Sequence, residues 1–161
     1  MATLQDEVKI NGMRLRNRIA MPPLTTNYGG AGGIVTEDII KFYSERSKDV
    51  GLVIVEACTV RGDGRILQGS LGLWDDSQVA GMARLAAAIK KLGAAAVVQI
   101  SHAGARCFPA GGELQGASPS GFVFRPDVAP LTMGPAQIDQ MVADFAAAAG
   151  RAAEAGFDGV E

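Results

Sequence analysis

The sequence is poor in several things, and each shortage removes a class of function. It has one histidine, His102, so no cluster of imidazole ligands for zinc can be assembled from it. Its two cysteines, Cys58 and Cys107, stand far apart and make neither a CxxC nor a metal-ligand spacing. They read as free thiols, small buried hydrophobes of a reducing cytoplasm. A formal charge of -2 and a pI near 5.4 leave no field to attract nucleic acid or anionic lipid. Aromatic residues are only 6% of the chain, and none are interleaved with the scattered basic ones. No apolar run is long enough to span a bilayer, and no signal-peptide pattern opens the chain. Nucleic acid and membrane are therefore not expected partners.

What is present is an ordinary α/β composition: 161 residues, 48% hydrophobic and 20% charged, enough for one domain spanning residues 1–161. Val8-Lys9-Ile10 and Met13-Arg14-Leu15 alternate in polarity about Asn11-Gly12, the signature of a two-residue type I′ hairpin. Four apolar runs follow. Arg18–Met21 ends in Pro22-Pro23, whose missing amides stop a ladder. Residues 50–57 (VGLVIVEA) and 94–100 (AAAVVQI) suit parallel strands buried on both faces. Residues 157–161 open a fourth strand.

Between the runs the period changes to helical. Thr36 caps a segment with Ile39, Ile40 and Tyr43 on one face. Asp75, Asp76 and Ser77 offer caps for Val79, Met82, Ala86 and Ile89, which Gly93 terminates. Gly134-Pro135 starts a third helix, with Ile138, Met141, Val142, Phe145, Ala149 and Ala152 as its stripe and Gly156 as its stop. The order β-α-β-α-β-α-β predicts a parallel sheet with right-handed crossovers. Loops after the strands are long and turns before them short, which places the working face at the C-terminal strand ends. Barrels and open doubly wound sheets both have that asymmetry, and the pattern alone does not choose between them.

Four segments carry a family resemblance. Asn17-Arg18-Ile19-Ala20-Met21-Pro22-Pro23-Leu24-Thr25-Thr26 resembles the first-strand motif of the Old Yellow Enzyme family of NADH:flavin oxidoreductases. Leu52–Ala57 is similar to its second strand. Gln99-Ile100-Ser101-His102-Ala103-Gly104-Ala105-Arg106 resembles its third-strand end, with Ala105 inserted before the arginine. Ala155–Glu161 is similar to the fourth strand, which in the family continues into a His-x-x-His or His-x-x-Asn motif and a tyrosine. The resemblance implies the first half of a (β/α)₈ TIM barrel that binds FMN at its C-terminal mouth. It further implies hydride transfer from NADH or NADPH, through the flavin, to an activated C=C bond of an enone or enoate-like substrate.

Residue by residue, Pro22, Pro23 and Leu24 follow a strand in irregular backbone whose free carbonyls and amides can meet a planar ring's edge. Thr25 stands where the family places a Thr or Cys that donates to the flavin carbonyl. Ala57 is small enough for a ring to approach. Gln99 puts an amide inside an apolar strand, costly unless both ends find partners, which a flavin pyrimidine edge supplies. His102 is expected in the substrate pocket or as a structural histidine, and Tyr28 as a pocket phenol displaced by one residue from one branch's pattern. Gly29-Gly30-Ala31-Gly32-Gly33 reads as a mobile loop, without the strand-to-helix context of a dinucleotide fingerprint.

On this reading the fourth-strand histidine pair, the proton-donating tyrosine and the flavin-phosphate loops fall beyond Glu161, and so would the 4Fe-4S cluster of one family branch. A half barrel is expected to pair with its C-terminal half or with a second copy, as a homo-oligomer. The competing expectation is a non-catalytic half-barrel acting as an assembly partner.

Overall fold

A computed structural model describes residues 1–107, 115–116 and 131–161. Strands β1 (Val8–Ile10) and β2 (Met13–Leu15) pair antiparallel, with Ile10 opposite Met13 across Asn11-Gly12. Only Asn11 is left-handed there (φ 51), whereas a type I′ turn needs positive φ at both central residues. The hairpin forms as expected, but its bend is carried by the asparagine, a residue that tolerates the left-handed region.

The main sheet is parallel and four-stranded, in the order β3 (Ala20–Met21), β4 (Leu52–Thr59), β5 (Ala95–Ser101) and β8 (Gly159–Val160). Helices α1 (Glu37–Arg46), α2 (Val79–Lys91) and α3 (Pro135–Glu154) make the connections. They pack side by side, α1 on α2 and α2 on α3. Sequential strand order with neighbouring helices is the wall of a barrel. A doubly wound sheet would reverse its strand order and carry helices on both faces. This resolves the choice that periodicity left open.

The helix signals act as their chemistry requires. Thr36 Oγ1 accepts from the Ile39 amide at 3.3 Å, and Asp75 with Gln78 forms a reciprocal capping box ahead of α2. Gly93 (φ 84) and Gly156 (φ 83) end α2 and α3 in the left-handed conformation. Ile39, Tyr43, Val53, Val55, Leu85, Ile89, Ala96 and Val98 are fully buried between the helices and one face of the sheet. Each large aliphatic side chain there contributes about 1.5–3 kcal/mol.

Three expectations need correction. The strands are not buried on both faces among the described residues: Leu52, Ile54 and Ala95, which face away from the helices, are only half-buried. Among the described residues helices cover one face only, and no helix is stacked on the other. Of the stripe expected on α3, Ala152 alone is fully buried; Met141, Phe145 and Ala149 are half-buried, Ile138 (45%) and Val142 (65%) are exposed, and Ala148, outside the expected stripe, is buried instead. Twenty helical residues span about 30 Å, more than a seven-residue strand of roughly 23 Å can cover. Finally, the glycine tract is tied down. Gly29 N donates to Gly69 O and Gly72 N to Gly33 O, both at 2.9 Å. A Cβ on Gly33 (φ 73) would stand 2.6 Å from the Trp74 ring. Gly29, Gly30 and Gly33 leave no room for a Cβ, whereas Gly32 has open space around it. The long loop after β5 holds a small parallel pair, β6 (Gln115–Gly116) with β7 (Leu131–Thr132).

At the N-terminal ends of the strands, one side chain gathers several segments. The Arg16 guanidinium donates to Ser47 O (2.8 Å), Lys48 O (2.5 Å), Val50 O (3.0 Å) and Leu92 O (2.9 Å). It thereby ties the ends of α1 and α2 to the start of β4. Beside it, Asn17 donates from Nδ2 to Asp49 O at 2.9 Å and accepts from the Ile19 amide at 3.1 Å.

Candidate cofactor site

The site is built at the other end of the sheet, around an irregularity in β4. Val55 pairs with Val98 and Cys58 with Ile100, so Glu56 and Ala57 together oppose the single residue Gln99. Two residues against one is a β-bulge, which bends the strand and re-aims its side chains. Two of the sequence-selected residues, Ala57 and Gln99, are thus brought face to face by it.

The bulge has a chemical cause. The Glu56 amide donates not to β5 but to the Tyr43 hydroxyl of α1 at 2.7 Å. The Glu56 carboxylate is fully buried, and three donors converge on it. Thr26 N reaches Oε1 at 3.1 Å, while Thr26 Oγ1 (2.8 Å) and Tyr43 Oη (3.3 Å) reach Oε2. Burial raises its pKa above the usual carboxylate range, against the lowering effect of the Thr26 and Tyr43 hydrogen bonds. Tyr43 is shifted upward too, by burial first and by the neighbouring carboxylate second. Sequence reasoning passed over Glu56 as part of a motif. A carboxylate inside an otherwise apolar strand was the available signal, since such a group is buried only with donors around it.

Thr26 pins the segment after β3 to the end of β4. Thr26 turns inward to that carboxylate, while its neighbour Thr25 stays exposed. Thr25 is exposed and its hydroxyl makes no side-chain hydrogen bond among the described residues; Pro22 and Leu24 are exposed and Pro23 is half-buried. Gln99 is half-buried on the uncovered face of the sheet, and its amide likewise has no side-chain partner among the described residues.

The other two selected residues lie differently. The Tyr28 ring rests edge-on against Phe42 of α1, 6.3 Å between centroids, in a hollow of about 470 Å³ lined by Asp38, Lys41, Phe42, Glu45 and Arg46. His102 is buried, with 7% of its side chain exposed, against the turn at Gly62–Gly64, where a Cβ on Gly64 would overlap the imidazole. Its Nδ1 accepts from the Gly104 amide at 3.0 Å, and its Nε2 is buried without a partner, 3.8 Å from Asp63 Oδ1. Burial lowers its pKa, with Asp63 opposing the shift.

Both cysteines are free and buried. Burial pushes the Cys107 thiol up to about 11 and Cys58 well above its ordinary value. Neither is an activated nucleophile. Among the described residues no group of His, Cys, Asp or Glu could hold a metal ion, and no helix is long and apolar enough to cross a membrane.

A parallel wall of successive βα units, with unpartnered polar groups gathered at its C-terminal strand ends, is the class to which ligand-binding (β/α)₈ barrels belong. Comparison with known proteins makes this specific. Residues 4–161 match the NADH:flavin oxidoreductase / NADH oxidase family, and the chain belongs to it. It is 41% identical over 165 residues to the NADH:acrylate oxidoreductase of Vibrio harveyi, covering 100% of this chain and 16% of that protein. It is 35% identical over 159 residues to the NADPH dehydrogenase of Bacillus subtilis, covering 96% of this chain and 46% of the relative. The solved Old Yellow Enzyme homologue from Zymomonas mobilis superposes with a TM-score of 0.90 at 27% identity, over 99% of this chain and 47% of that structure. The chain therefore has the fold of half of such a barrel, and it spans less than half the length of each of these three proteins.

Proposed function

We propose that this chain supplies the first half of an FMN site in an NAD(P)H-dependent ene-reductase. The observation that carries the reading is the bulge that sets Ala57 opposite Gln99, whose amide lacks a side-chain partner, on the uncovered face. A planar pyrimidine edge with alternating donors and acceptors satisfies such an amide, and a methyl side chain opposite leaves room for the ring. In this reading Gln99 binds that edge, Ala57 gives it clearance, and the Pro22-Pro23-Leu24 backbone borders the ring. The outward Thr25 hydroxyl donates to the flavin carbonyl. When bound, FMN supplies hydride transfer from NADH or NADPH to an activated C=C bond. The names of two relatives, NADH:acrylate oxidoreductase and NADH:fumarate oxidoreductase, support alkenes conjugated to a carboxylate as the substrate class.

Tyr28 is an outer substrate contact in this proposal, while His102 braces the loops rather than touching substrate. The half-covered face of β4 and β5 is completed by further barrel strands, from the rest of the protein or a second copy. The test is direct. The complete protein should purify yellow and oxidise NADH or NADPH faster when acrylate or fumarate is added. A colourless protein that takes up no added FMN would end the reading.

A further inference from the structure

We propose that Glu56 is a positioning residue that sets two flavin-facing elements at once, the outward Thr25 and the bulged Ala57; this rests on the FMN reading above. The carboxylate and amide of this one residue face different partners. The carboxylate takes both the amide and the hydroxyl of Thr26. Two bonds to one residue fix the orientation of its peptide as well as its side chain, and with it the direction in which Thr25 leaves the backbone. The amide goes to Tyr43 Oη, which withdraws it from the β4–β5 ladder and creates the extra residue opposite Gln99. Tyr43 closes the circuit by donating back to Glu56 Oε2.

The alternative, that Glu56 is merely a satisfied buried acid, does not account for its location. A carboxylate that serves stability alone gains nothing from sitting at the single irregularity in the ladder. It is fully buried as the one charged residue of β4, and Thr, Tyr and a backbone amide hold it without any cation. A neutral isostere such as leucine would fill the volume without the desolvation of a polar group. What leucine could not do is hold Thr26 inward and at the same time accept from the Tyr43 hydroxyl that takes the residue's own amide at the bulge.

Three substitutions in the complete protein separate the connections. Thr26→Val removes the hydroxyl link, Tyr43→Phe removes the bulge partner, and Glu56→Gln weakens both while keeping shape. Amide hydrogen exchange of the flavin-free proteins reads the two elements separately. Thr26→Val should accelerate exchange only in residues 22–28, Tyr43→Phe only in residues 55–60, and Glu56→Gln in both. Glu56→Gln should also raise the FMN dissociation constant about tenfold, the scale of one charge-assisted hydrogen bond lost from the support. It should diminish the effect of Thr25→Ala on the flavin absorption spectrum, because Thr25 is then already misplaced. Unchanged exchange in both segments under Glu56→Gln overturns the proposal. So does faster exchange with unaltered FMN affinity and a full Thr25→Ala effect, the pattern of a purely structural acid. The wild-type control is read by itself: if it takes up no FMN, the flavin reading fails whatever the exchange data say about Glu56.

Discussion

The two ends of the sheet use polar side chains in opposite ways. At the N-terminal ends, Arg16 and Asn17 spend their hydrogen bonds on carbonyls and amides of their own chain. At the C-terminal ends, Gln99 and Thr25 are left without side-chain partners among the described residues, and the one buried acid among these, Glu56, holds the segment that presents Thr25. Saturated groups make a foundation; unsaturated ones, held in place by a saturated neighbour, make a site. Barrels divide their two faces between stability and chemistry in this way. Substitutions at the two ends should therefore separate folding from flavin binding.

The largest effect is expected at the foundation. Arg16→Met in the complete protein leaves four carbonyls without their shared donor, some of which water can reach. We expect a loss of about 3 kcal/mol in unfolding free energy, from a charged donor worth roughly 1.5–3 kcal/mol per bond discounted for that rehydration. Denaturant titration measures it. The protein that remains folded should bind FMN with wild-type affinity; a weakened affinity would break the separation between the ends.

Gln99→Leu is the mirror experiment. Stability of the flavin-free protein should hold or rise slightly, since an unpartnered amide leaves a half-buried position. FMN binding should weaken by about 2 kcal/mol, or roughly thirtyfold, for two lost hydrogen bonds. Titrating FMN into both apoproteins checks this, and equal dissociation constants would remove Gln99 from the site. Thr25→Ala should do less to affinity. On the proposed reading its hydroxyl acts on one flavin atom, so the reduction potential should shift and reduction by NAD(P)H slow, with unfolding unchanged. Potentiometry showing an identical potential would leave Thr25 as a backbone contact only.

Much of this contrast is visible in the sequence, for definable reasons. Strand positions follow from the apolar runs of residues 50–57 and 94–100, and helix ends from Thr36, Asp75, Gly93 and Gly156, because these signals are local. Gln99 stood out as an amide where none is cheap to bury. What stayed hidden depended on contacts distant in sequence. Thr25 and Thr26 are chemically identical neighbours, and only the carboxylate thirty positions away decides which of them turns inward. The bulge likewise depends on Tyr43, a residue that periodicity assigns to the core of α1 and nothing more. The partial burial of α3 depended on the reach of the sheet beneath it, which helical spacing does not record.

The smallest expected effect sharpens the comparison at its margin, where the His102 imidazole is packed against Gly64. Its Nδ1 accepts from Gly104 N, so the neutral ring carries its proton on Nε2, buried and aimed toward Asp63 at 3.8 Å, beyond hydrogen-bonding range. The charged groups acting on it are Asp63, Arg61 and Asp144; the two acids favour protonation, Arg61 and burial oppose it, and burial is the largest influence. The folded pKa is therefore lower than the unfolded one, near 6.5. As pH falls through that value the unfolded chain binds its proton first, so the stability contributed by neutral His102 is complete above it. It is lost progressively until the pH drops below the folded pKa. One proton limits the slope to about 1.4 kcal/mol per pH unit, and the pull of Asp63 keeps the total small. Unfolding curves of wild type and His102→Gln at pH 7.5 and 5.5 isolate this contribution, because every other titrating group is common to both. The wild type should lose more stability than the variant on acidification. Parallel losses would mean that His102 is protonated as readily folded as unfolded, and that Asp63 closes on Nε2 when the ring is charged.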